Sequence, residues 1–156
     1  MRSPPCRVLY VDNDEDTCEM ITLLLDSHGI KVTCVKSAAD ATVIMGSERY
    51  DLLLLDVCLP DLDGLEFCRE LRRSDLKTPI FFYSGAAYAS DISKGLAAGA
   101  NGYVVKPDIE GLLQVVLTAL EMPVADEIRR ERSLAQRVPA RGSLADGYFR
   151  VRAASH

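Results

Sequence analysis

Asp51-Leu52-Leu53-Leu54-Leu55-Asp56-Val57-Cys58-Leu59-Pro60-Asp61-Leu62-Asp63-Gly64 is the stretch that decides the fold of this 156-residue chain, because four consecutive leucines run straight into an acid and then into a turn. Four apolar residues without polar alternation predict a strand buried on both faces, the habit of central strands in a parallel α/β sheet. Asp56 then stands at the strand's carboxyl end. In an open α/β sheet the crevice outside the carboxyl ends of the strands is where ligands bind, so an acid placed there is a candidate working group. A strand-exit aspartate can equally be an ordinary loop residue, and the exits of the other strands decide between the two.

Toward the amino terminus, Arg7-Val8-Leu9-Tyr10-Val11 is a β-rich run that ends in Asp12-Asn13-Asp14-Glu15-Asp16. The helical pattern that follows places Cys18, Ile21, Leu24, Leu25 and His28 on one stripe before Gly29. Asp14, Glu15 and Asp16 suit the capping and dipole of that helix, whereas Asp12 closes its strand as Asp56 does. Ile30 to Val35 alternates as a second strand, and Ser37 to Met45 is a small-residue helix with Ala38, Ala41, Val43 and Ile44 facing inward.

Beyond the leucine run, Asp63 to Arg73 carries Leu65, Phe67, Cys68 and Leu71 at helical spacing. Pro79-Ile80-Phe81-Phe82-Tyr83 is a fourth strand that stops at Ser84-Gly85, and Asp91 to Ala98 is a short helix through Ile92 and Leu96, ended by Gly99. Gly102-Tyr103-Val104-Val105 is a fifth strand ending on Lys106-Pro107. The last helix shows Ile109, Leu112, Leu113, Val116, Leu117 and Leu120, the cleanest stripe in the chain. Five strands alternating with five helices predict an α/β fold: a doubly wound five-stranded parallel sheet built as (βα)5, with right-handed crossovers.

Composition narrows the function classes. Hydrophobic residues make up 48% and charged residues 26%, ordinary for a single soluble domain. No apolar run approaches the ~20 residues that span a bilayer, and MRSPPCR lacks a signal-peptide core, so no membrane role and a cytoplasmic location are expected. Cys6, Cys18, Cys34, Cys58 and Cys68 show no metal-type spacing and read as reduced thiols. Residues 1–122 hold 11 Lys+Arg against 19 Asp+Glu, a net of −8, while residues 123–156 hold 7 against 4, a net of +3. The acidic body argues against direct nucleic-acid binding.

The strand exits collect Asp12 and Asn13, Asp56, Ser84 and Lys106 from separate segments onto one edge. Two carboxylates ~4 Å apart repel by about 4 kcal/mol at an effective dielectric of 20, so such a cluster needs a cation. Mg²⁺ suits it, because that ion takes carboxylate and carbonyl oxygens and keeps several waters that a phosphate can replace. Lys106 can pair with Asp56 and later with a phosphoryl oxygen, and the Ser84 hydroxyl can donate to the same oxygen. The constellation suits phosphoryl transfer onto Asp56 as nucleophile, giving an acyl phosphate.

Residues 7 to about 121 resemble the receiver domain of two-component response regulators, through Asp12-Asn13, LLLLDVCLPDLDG, PIFFYSG and GANGYVVKP in the right order. The resemblance implies a flavodoxin-like strand order 2-1-3-4-5, with Asp56 as phosphoacceptor. It implies a Mg²⁺ site of Asp12, Asn13, Asp56 and the backbone carbonyl of Cys58. Ser84 would be the switch hydroxyl, Tyr103 the aromatic that follows it between outward and inward rotamers, and Lys106 the phosphate-binding cation. A cis bond before Pro107 is also implied. The implied partners are a histidine kinase or phosphotransfer protein, and a downstream protein target or a second copy bound through the face of the fourth helix, fifth strand and fifth helix.

Two positions depart from the family pattern. Asn13 stands where a second acid is usual, which predicts weaker Mg²⁺ binding, and Ser84 replaces the commoner threonine. Small residues at Cys58 and Ala86 predict an open approach of water to the acyl phosphate. The alternative to a phosphorylation-dependent switch is a pseudo-receiver that acts as an interaction module. An aspartate-nucleophile hydrolase would need an acid where Cys58 stands, and flavin binding would need a hydroxyl-rich loop after the first strand. Residues 1–122 are expected to form the receiver. Residues 123–156 are expected to be an extension with one short helix over 124–137 and then flexible chain with Tyr148-Phe149 as a docking spot, belonging to a stand-alone receiver or one cut from a longer regulator.

Overall fold

The computed structural model describes residues 4–74 and 76–122. Its elements run β1 (Arg7–Val11), α1 (Glu15–Asp26), β2 (Lys31–Val35), α2 (Ala38–Met45), β3 (Leu52–Leu55), α3 (Gly64–Arg73), β4 (Ile80–Ser84), α4 (Ala89–Ala97), β5 (Gly102–Val105) and α5 (Ile109–Ala119). The expectations for residues 123–156 lie outside the described residues.

All neighbouring strands pair in parallel, in the order β2-β1-β3-β4-β5. The expected (βα)5 architecture and its strand order are both present. Each leucine of β3 is buried, as a strand covered on two faces requires. Alternation splits the sheet between two cores. Val8, Tyr10, Leu52, Leu54, Phe81, Tyr83 and Val104 pack with Ile21 and Leu25 of α1 and Leu112 and Val116 of α5. Leu9, Val11, Leu53, Leu55, Phe82 and Tyr103 pack on the other face with Ala41 of α2, Phe67 of α3 and Ile92 of α4.

Side-chain caps fix three helix starts. Ser37 Oγ accepts from Asp40 N, Asp63 Oδ1 from Leu65 N, and Asp108 Oδ1 from Gly111 N. Asp61, from the loop after β3, reaches across to α2 and accepts from the backbone N–H groups of Ala38 (3.0 Å) and Ala39 (2.9 Å). These bonds hold its carboxyl below the usual carboxylate range. Gly29, at φ 76°, makes the left-handed turn out of α1. Gly64 has a steric reason: a Cβ there would stand 2.1 Å from the Asp56 carbonyl oxygen, so only glycine lets α3 start against the end of β3.

Arg72 ties three segments together. Its guanidinium donates to the carbonyls of Gly99, Leu76 and Thr78 and to Asn101 Oδ1, which also accepts from Ile80 N.

Several inward expectations are corrected. Val43 of α2 is 76% exposed, because this short helix covers the sheet with Ala38 and Ala41 and turns Val43 outward. His28 lies on the surface, where its Nδ1 is 3.1 Å from the Leu24 carbonyl. In α5 the buried side takes in Gln114 and Val115 beside Leu112, Val116 and Leu117, while Ile109, Leu113 and Leu120 of the expected stripe are only partly buried. The fourth helix begins at Ala89 rather than Asp91, since Asp91 Oδ2 accepts from Tyr88 N and lets the first turn form earlier.

Candidate functional site

Asp12, Asp56, Ser84 and Lys106 stand at the carboxyl ends of β1, β3, β4 and β5. Parallel pairing brings these ends to one edge. Asp12 is fully buried, and Asp56 and Ser84 are buried. Lys106 Nζ lies 2.6 Å from Asp12 Oδ2 and 3.3 Å from Asp56 Oδ2, so one ammonium bridges both carboxylates. Burial pulls the Lys106 pKa down, but the hydrogen bond to Asp12 and the charges of Asp56 and Asp12 outweigh it. The ammonium is held above the ordinary lysine value.

Asp12 is held on several sides. Its Oδ2 also accepts from Tyr10 OH at 2.5 Å, and its Oδ1 accepts from Asp14 N at 2.9 Å. Burial, then the bond to Asp12, raise the Tyr10 pKa far above that of a free phenol, so Tyr10 is a permanent donor. The Lys106 ammonium also sits 5.7 Å from the Tyr83 ring centroid, and the Tyr10 and Tyr83 rings are 6.5 Å apart. Two tyrosines therefore floor the acid pair from the core side.

Asp56 Oδ1 accepts from Cys58 N at 3.3 Å, which curls the loop after β3 over the carboxylate. Ser84 Oγ accepts from Ala86 N at 3.3 Å, and Lys106 N donates to the Ser84 carbonyl. Tyr103 is fully buried and donates from its hydroxyl to the Ala86 carbonyl at 2.6 Å, so the ring points inward. Burial pushes its pKa up to about 12. The peptide bond between Lys106 and Pro107 is cis.

Among the described residues no group of three or more His, Cys, Asp or Glu side chains converges as a metal cage. The donors at hand are the Asp12 and Asp56 carboxylates, the exposed Asn13 and the Cys58 peptide. Two carboxylates with neutral oxygens beside them fit Mg²⁺, which binds through one or two carboxylates and keeps several waters. Asp14, weighed at the helix start, turns its carboxylate to the Thr17 hydroxyl.

The sequence expectation gathered Asp12, Asp56, Ser84 and Lys106 correctly onto one edge, and it missed the part played by Tyr10. Its signal was the two-residue spacing from Asp12, which keeps both side chains on one face of the strand.

Fold and site define a flavodoxin-like α/β domain whose carboxyl edge carries an acid pair bridged by lysine, the class to which phosphoryl-accepting receivers conform. The family model for the response regulator receiver domain matches residues 8–123, and the chain belongs to that family. It is 34% identical over 138 residues to the cell cycle response regulator CtrA of Brucella abortus (strain 2308), covering 88% of this chain and 56% of that relative. The chain thus spans about half the length of the curated relatives it matches. Among solved structures it resembles a putative response regulator from Chloroflexus aurantiacus J-10-fl, with TM-score 0.71 and 32% identity over 75% of this chain and 98% of that one. It also resembles the BeF3-activated DrrB receiver domain, with TM-score 0.67 and 29% identity over 75% of this chain and 98% of that one. No helix among the described residues is long and apolar enough to cross a membrane.

Proposed function

We propose that this domain is a phosphorylation-dependent signalling switch in which Asp56 accepts a phosphoryl group from a histidine kinase or phosphotransfer protein. The observation that carries the reading is the Lys106 ammonium, 2.6 Å from Asp12 and 3.3 Å from Asp56, at the mouth of a parallel sheet. An Asp56 carboxylate oxygen attacks the donor's phosphorus, the phosphorus–oxygen bond forms, and the donor's bond to phosphorus breaks. Lys106 pairs with the oxygens that carry the transferred charge, and Ser84 turns its hydroxyl to one of them. Asp12, Asn13, Asp56 and the Cys58 carbonyl would hold Mg²⁺, which when bound neutralises phosphoryl charge.

The only chemistry the domain performs is its own phosphorylation and dephosphorylation. The output is a change in the face formed by α4, β5 and α5, read by a downstream protein or a second copy of the chain. Tyr103 links the two, because its hydroxyl holds the Ala86 carbonyl two residues past Ser84. Tyr88, 80% exposed at the start of α4, gives that face an aromatic contact. A cytoplasmic location goes with this role, as do the five free thiols.

A pseudo-receiver is the second reading, favoured by Asn13 in place of an acid and by Tyr103 already lying inward. Incubation with acetyl phosphate and Mg²⁺ followed by intact mass separates the two. The switch requires one phosphoryl addition to the native chain and none to Asp56→Ala. A native chain that stays unmodified, and takes up no beryllofluoride, overturns it.

A further inference from the structure

Cys18 and Cys34 form a thiol pair that the phosphoacceptor site does not use. Cys18 stands in the first turn of α1, and Cys34 lies on β2, one of the two edge strands of the sheet. Cys34 Sγ is 3.6 Å from the Cys18 carbonyl oxygen. Thr22 Oγ1 donates to that same carbonyl at 2.7 Å and lies 3.4 Å from Cys34 Sγ. Each thiol shifts the titration of the other. Cys34 pairs in register with Tyr10, and both cysteines pack against the core that α1 covers.

Both cysteines are half-buried at the sheet edge, within reach of a small oxidant. The pair differs from Cys68, which is buried and pushed up to about 11 by that burial. Interaction with the Cys18 side chain lowers the Cys34 pKa to about 7 while burial works against it, and a thiolate is the form that reacts with peroxides. Cys18 connects the pair to the acid nest, for its Sγ–H donates to the backbone carbonyl of Asp12 at 3.4 Å.

We propose that Cys18 and Cys34 are a redox couple that closes to an intramolecular disulfide under peroxide and thereby slows phosphoryl uptake at Asp56. The second half rests on the phosphoacceptor reading of that residue. The Cys34 thiolate attacks one peroxide oxygen, a sulfur–oxygen bond forms, the oxygen–oxygen bond breaks, and the leaving hydroxide takes a proton to become water. The Cys18 sulfur then attacks the Cys34 sulfur of that sulfenic acid. The sulfur–sulfur bond forms, the sulfur–oxygen bond breaks, and a second water leaves with the Cys18 proton. Peroxide is reduced by two electrons and the dithiol is oxidised by two. A disulfide carries no S–H, so the donor to the Asp12 carbonyl is gone once the bond has formed.

The test exposes the full chain to limiting hydrogen peroxide, alkylates the remaining thiols and maps disulfides by peptide mass. One portion is then assayed for phosphorylation by acetyl phosphate and Mg²⁺, with and without dithiothreitol. The expected result is a Cys18–Cys34 cross-linked peptide and the loss of two alkylatable thiols. Uptake becomes about two- to fivefold slower, the worth of a weak S–H···O bond, and dithiothreitol restores it. Cys34→Ala forms no such cross-link and phosphorylates at one rate before and after peroxide, whereas Cys18→Ser accumulates a Cys34 sulfenic acid that dimedone traps. An uncross-linked native chain, or a cross-link to another cysteine, overturns the couple. A Cys18–Cys34 disulfide with unchanged uptake overturns its coupling to Asp56. A chain that takes up no phosphoryl group even when reduced sinks the phosphoacceptor reading instead, and with it the coupling, while the peptide map still decides the disulfide.

Discussion

Lys106 Nζ stands closer to Asp12, at 2.6 Å, than to Asp56, at 3.3 Å. Asp12 therefore anchors the lysine, and Asp56 remains the looser partner, whose contact the proposed phosphoryl group would replace. Replacing the lysine leaves the fully buried Asp12 carboxylate with Tyr10 and Asp14 N as donors and no cation. Lys106→Met should cost about 1–3 kcal/mol of stability, the range for stranding a buried polar group. Urea denaturation checks this, and adding Asp12→Asn should recover part of the loss; a fully additive pair would contradict the anchoring.

Asn13, exposed directly after Asp12, would bring an oxygen and no charge to a cation held by the two carboxylates. Asn13→Asp should tighten Mg²⁺ binding by roughly three- to tenfold, since cation affinity is tuned by the charge count of its ligands. Calorimetric titration of Mg²⁺ into both proteins is the measurement. Equal affinities would mean that position 13 is not a ligand.

Gly95 makes the room that Tyr103 occupies. A Cβ at position 95 would come 2.8 Å from Tyr103 Cδ2 and 3.1 Å from Phe82 Cδ2. Gly95→Ala should therefore cost about 1–3 kcal/mol as overpacking, against a helix-propensity gain of about 1 kcal/mol. In a Tyr103→Ala background the same change should become stabilising. A double-mutant cycle reads the sign reversal, and fluorine NMR of labelled tyrosine reads displacement of the ring.

Alkaline pH should destabilise the fold. Tyr103 and Lys106 both have folded pKa values above their ordinary ones, Tyr103 at about 12. A raised folded pKa means the native state binds the proton more tightly than the unfolded chain. The stabilisation is fully present below the unfolded value, near 10 for both groups, and is lost as pH rises through the folded one. Urea midpoints measured from pH 8 to 12 should stay level and then fall above about 10. Tyr103→Phe should fall less steeply.

The sheet was readable because strands covered on both faces leave unbroken apolar runs, as in Leu52–Leu55 and Ile80–Tyr83. The four working residues were readable because each directly follows or ends such a run. What stayed hidden depends on partners distant in sequence: the room that Gly95 leaves for Tyr103, and the reach of Asp61 to α2. Tyr10 was hidden for another reason. A tyrosine inside a β-rich run already has an explanation as a strand former, so its hydroxyl attracted no notice. Val43 was misplaced because an eight-residue helix that mixes alanines with a run of Val43, Ile44 and Met45 leaves little periodicity to orient it.

The guanidinium of Arg72 clasps the end of α3, the approach to β4 and the turn between α4 and β5 with one set of donors. A single truncation at that side chain would strip all three at once while the acid nest on the opposite rim keeps its own contacts. Limited proteolysis of such a variant would nick the backbone first around 76–79 or 99–101, marking this corner as the latch whose release leaves the acid nest standing.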